Sequence, residues 1–161
     1  MNSPDPSDDD LTDLLSEIRL LFPGTQILVA FLIILPFNSG YTRVSSLDNA
    51  VYVATFVCAM ISLLMFIAPA AQHRLMRPLR DRAAFKRSVN RQVIIGLIPL
   101  SLAITLATFF VISNVVSNLA AGIVAGIVGL AIALLWWIIP LRNRRVARSN
   151  LDQFLTGSSW L

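Results

Sequence analysis

Three uninterrupted apolar runs decide what this chain can fold into. Residues 50–71 (AVYVATFVCAMISLLMFIAPAA), 93–116 (VIIGLIPLSLAITLATFFVISNVV) and 119–141 (LAAGIVAGIVGLAIALLWWIIPL) hold no Asp, Glu, Lys, Arg or His. A hydrocarbon core ~30 Å thick takes about 20 residues at ~1.5 Å rise each, so every run is long enough to span a bilayer. A fourth stretch, residues 20–37, is shorter and carries Pro23, Gly24, Gln26 and Pro36. Its centre, ILVAFLIIL, is wholly apolar, which predicts a span with a loosened start and end. None of the runs alternates with period two, which excludes a membrane β-barrel. Backbone groups in lipid must bond within their own segment, which leaves helices. Composition points the same way: 56% of residues are hydrophobic and 14% charged, where soluble domains carry ~25% charged. A soluble enzyme, a nucleic-acid-binding domain and a largely disordered chain are excluded. The expected fold is an all-α polytopic membrane protein with four transmembrane helices.

Charge fixes the expected threading. Of the 13 basic residues, all but Arg43 fall in three places. Arg19 precedes the first span. Arg74, Arg77, Arg80, Arg82, Lys86, Arg87 and Arg91 crowd the connection between the second and third. Arg142, Arg144, Arg145 and Arg148 follow the fourth. The positive-inside rule then places both termini and the middle loop in the cytoplasm of a multi-pass plasma-membrane protein. Tyr41 and Tyr52 near the outer boundary, and Trp136 and Trp137 near the inner one, read as interfacial aromatics. The net charge of +4 therefore reads as a record of insertion, and no nucleic-acid partner is expected. The acidic N-terminus lacks the positive n-region of a signal peptide, so the first span is expected to be retained.

Outside the spans, residues 1–10 are expected to form a disordered acidic tail. Residues 11–148 read as a single four-helix transmembrane domain, and residues 149–161 as a cytoplasmic C-terminal tail. Leu11, Leu14, Leu15, Ile18, Leu21 and Phe22 recur at helical spacing. They predict a short amphipathic helix on the inner membrane face, ended by a turn at Pro23–Gly24. The alternative is a cytoplasmic extension of the first span itself. In the middle loop, Arg77, Arg80, Arg82, Lys86, Arg87 and Arg91 are candidates for anionic lipid headgroups, beyond their role in setting topology.

Chemistry-bearing groups are sparse. The hydroxyls Ser101, Thr105 and Thr108 share one face of the third span and either line a path or bond to their own helix carbonyls; the second is expected. Pro36 and Pro99 predict kinks. Gly122 and Gly126 form G-x-x-x-G, with Gly129 one turn on and Ala121–Ala125 at the same spacing one residue over. Small residues so placed let another helix approach closely, either within the chain or from a second subunit. Cys58, the only cysteine, excludes an internal disulfide. His73, the only histidine, is a pH sensor or a headgroup-level residue without special role. No phosphate loop, activated nucleophile or carboxylate pair at membrane depth is present, so neither an enzyme nor a cofactor is expected. Polar interest gathers at the inner boundary, in Glu17, Arg19, Gln26, His73 and Arg74, where Glu17 is expected to pair with Arg74 or Arg91.

Residues 17–37 (EIRLLFPGTQILVAFLIILPF), followed by VYVAT and by APAAQHR at residues 68–74, resemble a bacterial domain of unknown function made of small integral membrane proteins. The shared pattern is an acidic-x-Arg pair, a Pro-Gly-x-Gln turn, and Ala-Phe and Pro-Phe in the first helix. A second helix ends in A-P-x-x-x-H-R. The resemblance covers roughly residues 10–118. It implies that Glu17, Arg19, Pro23, Gly24, Gln26, Pro69, His73 and Arg74 outrank other positions. Some members carry a sodium:proton antiporter label, yet ion exchangers need a titratable carboxylate within the membrane, and Glu17 lies before the span. The function expected is a non-enzymatic scaffold, accessory or membrane-sensing bundle, with a homo-oligomer or a membrane complex as possible assemblies. The alternative is an oligomeric ion conduit or cation/proton transporter with Gln26 and the third-span hydroxyls lining its path.

Overall fold

The computed structural model describes residues 6–37, 45–75 and 82–142. Four helices account for almost all of them: α1 (Pro6–Ile34), α2 (Ser46–Leu75), α3 (Arg82–Val115) and α4 (Asn118–Ile132). A 3₁₀ turn, Leu35–Phe37, ends α1, so the loosened exit expected around Pro36 is present. Beyond Ile132 the helix widens into a π segment, Ala133–Ile138, and closes with a last turn to Arg142. Arg19–Phe37, Ser46–Leu75, Ala84–Val115 and Asn118–Arg142 are long and apolar enough to cross a membrane.

The N-terminal expectations change. α1 begins at Pro6, so residues 6–10 are helical where a disordered tail was expected. Proline suits the first helical position, and acidic residues favour the first turns of a helix. The helix then passes Pro23 and Gly24 without a break. A separate interfacial helix with a turn at those residues is not what the backbone does; it follows the extension reading. α3 likewise runs unbroken through Pro99.

The helices alternate in direction. Along α2 and α3, contacts join Asp48 to Ser113, Phe66 to Gly96 and Gln72 to Gln92, an order that only antiparallel helices produce. Gly129 lies against Thr105, and Ile98 and Trp137 line one groove, so α4 returns antiparallel to α3. Leu21 of α1 packs against the cluster of Phe66, Phe85, Val89, Val93 and Leu100, while Tyr52 reaches Leu32. Arg19, Arg74, Lys86, Arg87, Arg91 and Arg142 thereby share one end, called here the basic end.

Water contributes little force between helices in lipid, so close packing must hold them. The α2–α3 seam is built for it. The buried residues of α2 are Thr55, Ala59, Ser62, Phe66 and Pro69, spaced alternately four and three apart, a stripe that stays on one face. Opposite them, Phe85, Val89, Val93, Gly96, Leu100, Ala103 and Phe110 are buried on α3. α1 adds Thr25, Val29 and Leu32. No α4 residue enters either apolar cluster among the described residues. The outside is apolar as well, with Ile27, Phe31, Val57, Leu64, Leu102, Ile123 and Ile127 all exposed. Such a surface is consistent with a multi-pass membrane protein.

Gly96 is the tightest point of the seam. A Cβ built there would lie 2.8 Å from Cε1 of Phe66 and 3.0 Å from Cβ of Met65, and Phe66 is itself fully enclosed. Gly96→Ala should therefore destabilise by about 1–3 kcal/mol through overpacking. Gly122→Ala, which meets open space, should be neutral or gain up to about 1 kcal/mol from helix propensity. Unfolding titrations of the two variants in detergent check the contrast.

Candidate functional site

Within the spans, hydroxyl groups turn back on their own helices. Thr25 donates to Leu21 O (3.0 Å), Thr55 to Val51 O (2.7 Å), and Ser62 to Cys58 O (3.0 Å). On α3, Ser101 donates to Leu97 O (2.7 Å), Thr105 to Ser101 O (2.9 Å) and Thr108 to Ile104 O (2.8 Å). Each satisfies a polar group without leaving its own helix, the cheapest arrangement in a medium that offers no water. The expected local bonding of the α3 stripe is what the structure shows. Gln26, the other residue proposed to line a path, is exposed on α1, whereas Thr105 packs against Gly129 of α4. The two lie on different helices, Thr105 on the seam between α3 and α4.

The residues expected at the inner boundary lie at or toward the basic end. Arg19, Gln26 and Arg74 are exposed, and among the described residues no hydrogen bond or ion pair joins them to one another. The Glu17 side chain, and with it the pairing to Arg74 or Arg91, lies outside the described residues. His73 is half-buried, its ring tilted 49° against Phe85 of α3 at 5.9 Å between centroids. One turn further in, Gln92 donates from Nε2 to Oε1 of Gln72 at 3.2 Å, and Gln92 Oε1 is buried without a partner. Of the headgroup candidates, Arg77 and Arg80 and the Arg82 side chain lie outside the described residues. Lys86 is half-buried, and Arg87 and Arg91 are exposed. No group of three His, Cys, Asp or Glu side chains among the described residues could hold a metal.

The opposite end carries a clasp that sequence reading missed. Ser45 and Asp48 form a reciprocal cap at the start of α2. The Ser45 hydroxyl donates to Asp48 Oδ2 (2.7 Å) and accepts from the Asp48 backbone N–H (3.2 Å). Asp48 Oδ1 accepts from Ser113 of α3 at 3.4 Å, and Asn114 donates to Phe110 O at 2.8 Å. Tyr52 is half-buried in the bundle instead of lying free in the interface. Its hydroxyl donates to Leu32 O at 2.9 Å, and its ring packs with Phe56 and Phe110. Leu32 is in the last turn of α1, where carbonyls lack helical partners, so this bond fills a vacancy while tying α1 to α2. The S-x-x-D spacing at Ser45–Asp48 was the available signal.

The glycines of α4 also divide. Ala121 and Ala125 are buried against α3, and Gly129 faces Thr105, with 3.2 Å from a built Cβ to Thr105 Cγ2. Gly122 and Gly126 meet nothing within 4 Å. Packing inside the bundle therefore uses the alanine pair, and the G-x-x-x-G pair faces outward. Below Gly129 the helices part to leave an open groove of about 510 Å³, lined by Ile98, Ser101, Leu102, Ile132 and Trp137 among others.

These features define a protein of four helices long and apolar enough to cross a membrane, with the hydroxyls of Thr25, Thr55, Ser62, Ser101, Thr105 and Thr108 bonded locally. Residues 5–140 match the model of a family of unknown function, DUF6328, and the chain belongs to that family. The match extends through α4, past the limit of the resemblance read from the sequence. No curated protein and no solved structure matches the chain.

Two substitutions probe the clasp. Tyr52→Phe should cost about 0.5–1.5 kcal/mol by orphaning the Leu32 carbonyl, and Ser45→Ala about 1 kcal/mol by removing the cap. Amide exchange should speed up at the end of α1 in the first variant and at the start of α2 in the second.

Proposed function

We propose that this chain is a non-enzymatic four-helix membrane bundle that scaffolds, assists or senses at the basic face of the membrane. The observation that carries the reading is the bonding of Ser101, Thr105 and Thr108 to their own helix carbonyls in spans that hold no ionisable residue over 93–116 and 119–141. A coupled exchanger needs a titratable group at depth; a rigid bundle does not. The bias of Arg and Lys toward one end supports a plasma-membrane protein with both termini in the cytoplasm.

Reconstituted in liposomes with a pH gradient, the purified protein should give no sodium or proton flux above empty vesicles. Flux from a symmetric oligomer that falls in Gln26→Leu would instead establish the conduit reading. For the threading, single cysteines are placed on a Cys58→Ser background. Leu47→Cys should react with an impermeant thiol reagent in intact cells, and Ser3→Cys only after lysis. The reverse pattern sinks the proposed orientation.

A further inference from the structure

The groove between α3 and α4 is apolar along its length and basic at its mouth. α4 packs closely on α3 through Ala121, Ala125 and Gly129, and from residue 126 onward no α4 residue is buried. The slot that opens below Gly129 runs toward the basic end, walled by Ile98 and Leu102 on one side and by Ile132 and Trp137 on the other. At about 510 Å³ it has the size of a small-molecule site. Two turns from Ile98, on the same face of α3, stands Arg91. Arg142 follows Trp137 by five residues, in the turn after the π segment and more than about 100° around the helix from it. Both are exposed. Helical rise carries them about 10 Å and 7 Å past the end of the slot, to similar depth.

We propose that this groove binds an anionic phospholipid, one acyl chain lying in the slot and the headgroup phosphate held between Arg91 and Arg142. Arginine matches phosphate geometry with paired donors, and Trp137 sits where an interfacial aromatic would flank the glycerol region. A second copy is the weaker occupant. A helix laid in the slot by a parallel two-fold contact would bring further arginines to this mouth with no described acidic side chain to answer them. The proposal requires the helices to lie in a bilayer, but it does not depend on whether the protein is a bundle or a conduit.

The test uses the full chain in phosphatidylcholine vesicles, with Trp136→Phe and Trp160→Phe leaving Trp137 as reporter. Dibrominated phosphatidylglycerol should quench Trp137 at lower mole fraction than dibrominated phosphatidylcholine, by about fivefold for each contacting arginine. Arg91→Gln with Arg142→Gln should abolish the preference, and the charge-matched pair Arg19→Gln with Arg74→Gln should keep it. Native mass spectrometry of the unmodified protein gives a reading free of the tryptophan changes: phosphatidylglycerol retained by the wild type and lost in the Arg91/Arg142 double variant. Coincident quenching curves, or equal retention in both double variants, overturn the site. So does quenching that emerges only after removal of residues 149–161, which gives the slot to the C-terminal tail. Quenching that fades as protein-to-lipid ratio rises gives it to a second copy and overturns the proposal as well.

Discussion

A medium without water forbids unpaired backbone and side-chain polar groups, and much of this molecule follows from that. The hydroxyls of Thr55, Ser62, Ser101, Thr105 and Thr108 return to carbonyls one turn back, so the seam between α2 and α3 carries hydroxyl-bearing residues whose polar groups are satisfied locally. Because lipid offers as much apolar contact as a neighbouring helix does, only close approach favours association. Small residues supply it. Ala59 and Ser62 on α2, with Gly96 and Ala103 on α3, are all buried, and the ring of Phe66 fills the space over Gly96. The same rule explains Tyr52, whose hydroxyl is satisfied by a carbonyl that the end of α1 leaves open.

The number of helices was legible because length and absence of charge suffice to define a span. Residues 20–37, 50–71, 93–115 and 119–141 fall within the spans observed, Val116 lies one residue past α3, and α2 and α3 extend further at their charged ends. Which face of each helix turns inward was not legible in the same way. In a span that is apolar all round, no polar stripe marks the outside, so Ala121–Ala125 and Gly122–Gly126 were equivalent candidates one residue apart. The structure chooses the alanines, a rotation of about 100° on the helix. The continuity of α1 through Pro23 was likewise hidden, because proline signals a boundary in water more strongly than in a transmembrane helix.

The inner-boundary cluster shows a different limit. Sequence proximity and family resemblance gathered Glu17, Arg19, Gln26, His73 and Arg74; three of them are exposed, and His73 packs its ring against Phe85. The side-chain bonds that join α2 to α3, Gln72–Gln92 and Asp48–Ser113, depend on the antiparallel register of the two helices. Register is a tertiary quantity, and no local spacing in the chain encodes it. Only the Ser45–Asp48 half of the clasp was local enough to be read.

The π segment joins these threads. Pro140 lies within the final turn of the α4 helix, where it has no N–H to give and its ring crowds the carbonyl of Trp136. Widening the preceding turn relieves that crowding, and the Ile139 N–H bonds to Leu134 O, five residues back. A wider turn also shifts which side chains face α3. Alanine and glycine hold α4 against α3 as far as Gly129; after that, Ile132 and Trp137 line an opening instead of closing a seam. Pro140 thus gives the groove a local cause in sequence. Ala133 and Trp137 belong both to the bulge and to the cavity lining, so the least regular stretch of the bundle is also one wall of its groove.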